Sequence, residues 1–348
     1  MFKSTSSLKL PLRIRRARVP PTRPEFVLDR RVGRQFAFAL AGSALALGGA
    51  AWMTNKDTQD RNKGYWAAWG RTHGTGLQPD LARSRFDEAF ARARAFVSRF
   101  PDNRLVVIVN EKWLELGEAK RTQAGLIASF ATVFLLWRLP ASARFGKWLA
   151  HDPLSGKSVT QMTSVFSHRT LPHLAFNSIA LYSFGTACFS FLNYSETLPR
   201  STSRYEFLAF FVTAGLASSL ASHVWFSRVI SGKLLRIATP QQARASIVPS
   251  LGASGAVYSC LTLTALSFPE SNVSLIFVPF VPLPIGAATG ALVLVDVVGL
   301  LRGWRMFDHS AHLAGAAFGA AYWAIGHEWF ERLRARMLRP RSGERAIQ

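Results

Sequence analysis

The sequence predicts an all-α polytopic membrane protein in which one N-terminal span, a polar segment and six further spans follow one another. Three observations lead to that class. Apolar residues make up 49% of the 348-residue chain and charged residues only 18%, below the quarter usual for soluble domains. The formal charge of +22 gathers at the N-terminus, in loops and in the C-terminal tail, with long uncharged stretches between. Those stretches approach the ~20 residues that a helix needs to cross the hydrocarbon core, and basic flanks suit lipid headgroups. Nucleic-acid binding is the other class that so high a charge suggests. It needs a folded polar surface that this chain largely lacks, so no nucleic-acid partner is expected.

Residues 1–34 carry Lys3, Lys9, Arg13, Arg15, Arg16, Arg18 and Arg23 before the first acid, Glu25. With Ser4, Ser6 and Ser7 and no long apolar core, the segment has the composition of a mitochondrial transit peptide. Pro20, Pro21 and Pro24 confine any amphipathic helix to the stretch before them; a disordered basic tail that orients the next helix is the alternative. Residues 35–53, rich in Ala, Leu and Gly behind Arg30, Arg31 and Arg34, form the first span. Residues 54–121 are too charged to cross and read as a solvent-facing linker with interfacial helices. A six-span core then occupies 122–327, in the blocks 122–139, 171–194, 207–226, 248–268, 284–301 and 310–325, and 328–348 is a basic tail. A basic start argues for a matrix-facing N-terminus, whereas seven spans place the tail opposite, against the positive-inside tendency. Cys188 and Cys260 lie in apolar stretches without metal-ligand spacing and read as small buried hydrophobes. No disulfide, metal or cofactor is expected.

Polar groups inside spans are costly, which makes each a functional candidate. Ser254 lies in Gly252-Ala253-Ser254-Gly255, with Tyr258 one turn on. Glycines let backbone and substrate approach a serine, although serine is also a common packing residue between membrane helices. His312 stands beside Ala311, Gly315 and Gly319, which share one helical face and permit close helix contact. His173 and Asn177 are four apart and so on one face. With the Ser254 backbone N–H they can hold the oxygen of a tetrahedral intermediate; interhelical glue is the bland reading. A nucleophile needs a base in reach and oxyanion donors nearby, and three separate spans carry those parts. Asp308, four residues before His312, reads as a helix N-terminal residue, His309 as a weaker base, and Asp296 as a structural hydrogen-bonding group. The sequence offers no acidic third member, so a Ser-His dyad is expected.

In order, His173-Leu174-Ala175-Phe176-Asn177, Gly252-Ala253-Ser254-Gly255 with Tyr258, and Ala311-His312-Leu313-Ala314-Gly315 with Gly319 resemble the signature of the rhomboid intramembrane serine proteases. Ser164-Val165-Phe166-Ser167-His168, Asp296 with the stretch from Gly303 to His309, and Gly326-His327-Glu328 are similar to its mitochondrial, presenilin-associated branch. Lys147-Trp148 stands near the place of that family's arginine-containing first-loop motif. The resemblance implies a six-helix core with one extra N-terminal helix in the mitochondrial inner membrane. It implies Ser254 as nucleophile, His312 as general base with Tyr258 packed on its ring, and His173 and Asn177 in the oxyanion hole. Single-pass membrane proteins are the implied substrates. Two other classes stay open: a rhomboid-like pseudoenzyme that binds membrane clients, and a transporter using Asp296 and His312 as a proton path, against which stand the missing inverted repeat and second acid.

Overall fold

The computed structural model describes residues 32–69, 95, 104–194, 198–237, 239, 242, 247–275, 278–304 and 306–338. The transit-like segment up to residue 31, most of the 70–103 stretch of the expected linker and the tail beyond 338 lie outside them. Helix α1 (Gly33–Trp69), α2 (Arg104–Glu115) and α3 (Glu118–Leu136) lead into α4 (Ser142–Leu149) and a looped segment with short helical turns at Thr160–Thr163 and Ser164–Phe166. Helix α5 (Leu171–Leu192) passes through a π turn at Leu181–Gly185. Helix α6 (Arg204–Trp225) continues through Phe226–Ile230 into Ser231–Ile237. Then come α7 (Ser254–Ser267), α8 (Ile285–Arg302) and α9 (His309–Ala321), the last running through Tyr322–Gly326 into α10 (His327–Leu338). Among the described residues the fold is all-α apart from one antiparallel hairpin, β1 (Asn272–Leu275) with β2 (Val278–Pro284). Pro279, Pro282 and Pro284 cannot donate to a ladder, which suits a strand with one neighbour.

Among the described residues four helices, Gly33–Asp60, Leu171–Leu192, Arg204–Lys233 and Ile285–Arg302, are long and apolar enough to cross a membrane. Helix α7 is not one of them. The apolar block 248–268 becomes helical only at Ser254, leaving 14 residues, or ~21 Å of helix against a ~30 Å hydrocarbon core. The missing length is a loop. Phe130, Phe207, Phe210 and Phe211, all 0% exposed, fill the centre of the bundle with Leu181, Leu192 and Leu263. Cys188 and Cys260 are free and buried there.

Helix α1 runs past Met53 into what the sequence reads as linker, because protein groups satisfy its polar residues. Ala50 and Ala51 pack on Ala209 and Phe330. One turn on, the Asn55 amide donates to the Arg334 carbonyl (3.0 Å), and Arg334 Nε donates back to Asn55 Oδ1 (3.0 Å). Thr58 Oγ1 accepts from the Ser201 N–H at 3.1 Å. Arg334, fully buried, also donates to the Pro199 carbonyl and to Glu331. Arg200 bridges Glu331 to Glu206, which accepts from Tyr322 Oη (3.0 Å) and His327 Nδ1 (2.8 Å). Glu206 is therefore a second acid inside a helix long enough to span, contrary to the reading of Asp296 as the one such acid. It escaped because the apolar block 207–226 begins one residue after it, whereas the helix already starts at Arg204. Removing one member of such a buried network costs about 3–5 kcal/mol, since its partners stay behind uncompensated.

The first turn of α1 lies at the other end. Arg34 Nε donates to Ser158 Oγ (3.3 Å) and Gln161 Nε2 to the Gln35 carbonyl (3.3 Å). His151 and Ser250 exchange backbone hydrogen bonds of 2.8 and 3.0 Å, and Ser250 Oγ donates to Asp308 (2.6 Å). Thus the start of α1, the loop before α5, the loop before α7 and the start of α9 share one end of the bundle. The Arg200–Glu206–Arg334 network marks the other.

Candidate active site

Backbone geometry at Gly252 explains how Ser254 comes to open α7. Its φ of +126° is a conformation open to glycine and closed to L side chains. A Cβ there would also meet the His173 ring at 2.6 Å. The Gly252 N–H donates to the Ser164 carbonyl (2.9 Å), pinning the turn. Ser254 is the first residue of α7, where N–H groups have no intrahelical acceptor. Its backbone N–H and its hydroxyl are therefore presented together.

Helix α9 is aimed at this turn. Asp308 caps it, accepting from the Ala311 N–H (3.1 Å) as well as from the Ser222 (2.5 Å) and Ser250 (2.6 Å) hydroxyls. Glycines then bring α9 onto α7 at backbone distance. A Cβ on Gly315 would lie 2.0 Å from the Gly255 carbonyl oxygen, and one on Gly319 would lie 2.3 Å from that of Ser259. On the facing helix, a Cβ on Gly255 would strike Ser218 at 2.4 Å. Ser259 Oγ ties the pair by donating to the Gly315 carbonyl (2.7 Å). At that spacing His312 Nε2 stands 2.8 Å from Ser254 Oγ. The Tyr258 ring stacks on the imidazole, with centroids 4.5 Å apart and planes 13° apart.

The other face of the imidazole ring system differs from expectation. No acid was expected beside His312, yet its Nδ1 lies 3.1 Å from Asp296 Oδ1. The same oxygen is 2.6 Å from His309 Nδ1. Asp296 is buried, at 3% exposure, and a carboxylate only accepts, so both histidines carry the proton on Nδ1 toward it. For His312 that leaves Nε2 bare to accept the Ser254 O–H. Gly299, one turn along α8 from Asp296, makes room, since a Cβ there would meet the His309 ring at 2.4 Å. Sixteen residues and a helix boundary separate Asp296 from His312, so no periodicity in the sequence could pair them.

His173 lies over Gly252, beside the serine turn. Asn177 is buried on the same helix, and its Nδ2 donates to the His173 carbonyl (2.9 Å); an amide carries a second N–H for another acceptor. Behind His173 stands His168, fully buried, with ring centroids 4.9 Å apart. Burial and the neighbouring His173 push the pKa of His168 down to about 3, which keeps it a neutral wall. The loop before α5 is fixed to the bundle by another pair that sequence reading missed. The Thr160 hydroxyl donates to the Lys157 carbonyl (2.7 Å) and so accepts from His151 Nδ1 (2.8 Å). His151 Nε2 therefore accepts from His223 Nδ1 (3.0 Å). Burial and His223 lower the His151 pKa to about 4.

Comparison with known proteins agrees with this arrangement. A Rhomboid domain matches residues 155–329. The chain is 32% identical over 237 residues to presenilin-associated rhomboid-like protein A, mitochondrial, of Danio rerio, covering 68% of this chain and 55% of that protein. It is 34% identical over 222 residues to the Rattus norvegicus presenilin-associated rhomboid-like protein, mitochondrial, covering 63% and 52%. With rhomboid protein 1, mitochondrial, of Saccharomyces cerevisiae the identity is 34% over 207 residues, covering 58% and 52%. The alignment thus spans about half the length of these curated relatives. A polytopic helical bundle, the glycine-mediated contact of α7 with α9 and a domain match over half the sequence agree: the chain belongs to the rhomboid family.

Proposed function

We propose that the chain is an intramembrane serine endopeptidase that cleaves single-pass membrane proteins lying in the same bilayer. The observation that carries the proposal is the 2.8 Å contact of His312 Nε2 with Ser254 Oγ, made while Nδ1 of the same ring faces Asp296. That geometry sets the tautomer a general base needs. His312 takes the Ser254 proton as Oγ attacks the scissile carbonyl. The oxyanion is held by the Ser254 N–H together with the side chains of His173 and Asn177. The imidazolium then protonates the departing amine. Water, activated by the same histidine, hydrolyses the acyl-enzyme and restores the hydroxyl. Asp296 is a positioning residue here, orienting His312 and stabilising its charged form, so the expected dyad gains a supporting carboxylate.

Peptide bonds in an intact helix are shielded by their own hydrogen bonds, so substrates must unwind locally. Spans weakened by Gly or Pro are therefore favoured. The names of the relatives, all mitochondrial, and the basic start of this chain support the mitochondrial inner membrane as its location. The four helices that are long enough, with α3, α7 and α9 packed among them, support seven crossings. The test is cleavage of a single-pass substrate by the full chain in proteoliposomes. Ser254→Ala is expected to abolish cleavage at unchanged protein abundance; processing by the Ser254→Ala protein at the wild-type rate would remove the proposal.

A further inference from the structure

A cleft of about 700 Å³ opens between the end of α3, helix α4 and the loop before α5, on the same end of the bundle as the Ser254 turn. Arg138, Lys147, Lys157 and Arg169 line it, against Asp152 as the only carboxylate among its described lining residues. Among the described residues none of these four cations is ion-paired. Three of them are nevertheless positioned. The Lys157 ammonium sits over the Trp148 ring at 4.3 Å and the Arg169 guanidinium over Trp137 at 4.8 Å. Arg138 lies over Phe134 and donates to the Arg169 carbonyl (3.0 Å). Trp137 is itself held by Ser167 Oγ (2.7 Å).

Within two residues of its lining side chains along the chain stand outward-facing apolar ones, taken here as its rim: Leu135, Leu139, Trp148, Val159 and Leu171 are 62%, 48%, 46%, 40% and 63% exposed. Tryptophans, cations and exposed aliphatic side chains at the end of a spanning bundle belong at the depth of lipid headgroups. An acidic soluble peptide would account for the cations but not for that rim.

We propose that this cleft binds the headgroup of an anionic phospholipid, with its phosphate among Lys147, Lys157, Arg138 and Arg169 and its acyl chains against the apolar rim. The cleft also reaches Pro249, the neighbour of the Ser250 that pairs with His151, so the occupant sits against the loop that positions Gly252 and Ser254.

The test uses the purified full chain in neutral detergent, with lipid adducts counted by native mass spectrometry during titration with short-chain phosphatidic acid, with phosphatidylcholine, and with inorganic phosphate. Phosphatidic acid is expected to bind at least ~10-fold more tightly than phosphatidylcholine. At the contribution usual for a cation near an anionic lipid surface, Lys147→Gln and Lys157→Gln together are expected to weaken it roughly 30-fold. A control pair, Lys112→Gln with Arg332→Gln, removes the same charge at side chains that are 72% and 68% exposed elsewhere and is expected to leave binding unchanged. Three results overturn the proposal: equal loss in both double variants, which means diffuse attraction; equal binding of phosphatidylcholine, which removes the anion requirement; or inorganic phosphate binding as tightly as phosphatidic acid, which removes the rim.

Discussion

Replacing Gly315 by alanine is expected to disable the site while sparing every polar group in it. The added Cβ would lie 2.0 Å from the Gly255 carbonyl oxygen, where ordinary contact begins near 3.4 Å. The obstacle is backbone rather than a flexible side chain, so no rotamer change relieves it. The two helices must part by about 1.4 Å at that level, the difference of those distances. Overpacking of this kind costs roughly 1–3 kcal/mol, and rigid backbone on both sides places Gly315 toward the upper figure. The larger consequence is positional. Gly315 lies one turn below His312, whose Nε2 is 2.8 Å from Ser254 Oγ; a parting of that size takes the pair out of hydrogen-bond reach, and an error of ~1 Å at a reacting centre costs on the order of 100-fold in rate. The assay is substrate cleavage in proteoliposomes, normalised to folded protein, beside Gly290→Ala on α8, where a Cβ meets nothing within 4 Å. Wild-type turnover by Gly315→Ala would refute the inference that α7 and α9 touch through backbone at this level.

Asp296→Asn is expected to lower kcat by roughly 10²- to 10⁴-fold with little change in KM, because an amide in place of the carboxylate no longer fixes the His312 tautomer; a merely structural Asp296 would instead lower the melting temperature and leave the turnover of folded enzyme intact. Asn177→Ala is expected to cost about 10²- to 10³-fold in kcat if the amide holds the oxyanion, whereas turnover near wild type with reduced thermal stability would assign Asn177 to helix packing. Acidification is expected to destabilise the loop before α5. His151 is neutral in the fold with its pKa lowered from 6.5 to about 4, so the unfolded chain binds the extra proton and stability falls as pH drops through that window. A proton on His151 Nε2 sets two N–H groups face to face across its 3.0 Å contact with His223 Nδ1. At ~1.4 kcal/mol per pH unit the loss is bounded at roughly 3 kcal/mol. Melting temperatures from pH 7 to 4 read it, with Asp152 and Asp308 nearby opposing the effect; a flat profile, or one that His151→Gln does not flatten, contradicts the assignment.

Helix class and most of the spans were legible because apolar runs of membrane length report themselves without tertiary information. Gly315 and Gly319 were legible for a related reason: a small-residue stripe beside a histidine has few uses other than close helix contact. What stayed hidden depended on pairs of elements far apart in sequence. Asp296 reads as an isolated acid until α8 is laid beside α9, and His151 reads as a loop histidine until α6 brings His223 against it. The late start of α7 was missed because residues 248–253 are as apolar as the helix they precede; Gly252 alone, with its positive φ, marks the boundary. Asn55 and Thr58 look like the end of a span, yet they continue one, since Arg334 and Ser201 meet them from the opposite side.

Ser254 can be interrogated directly with a fluorophosphonate, which reacts with a serine only when a neighbouring base has raised its nucleophilicity. Peptide mapping by mass spectrometry of the labelled, membrane-reconstituted protein is expected to find the adduct on Ser254, and His312→Ala is expected to abolish it while leaving the protein folded. An adduct on another serine, or labelling of Ser254 that persists undiminished without His312, would contradict activation of that hydroxyl by that imidazole.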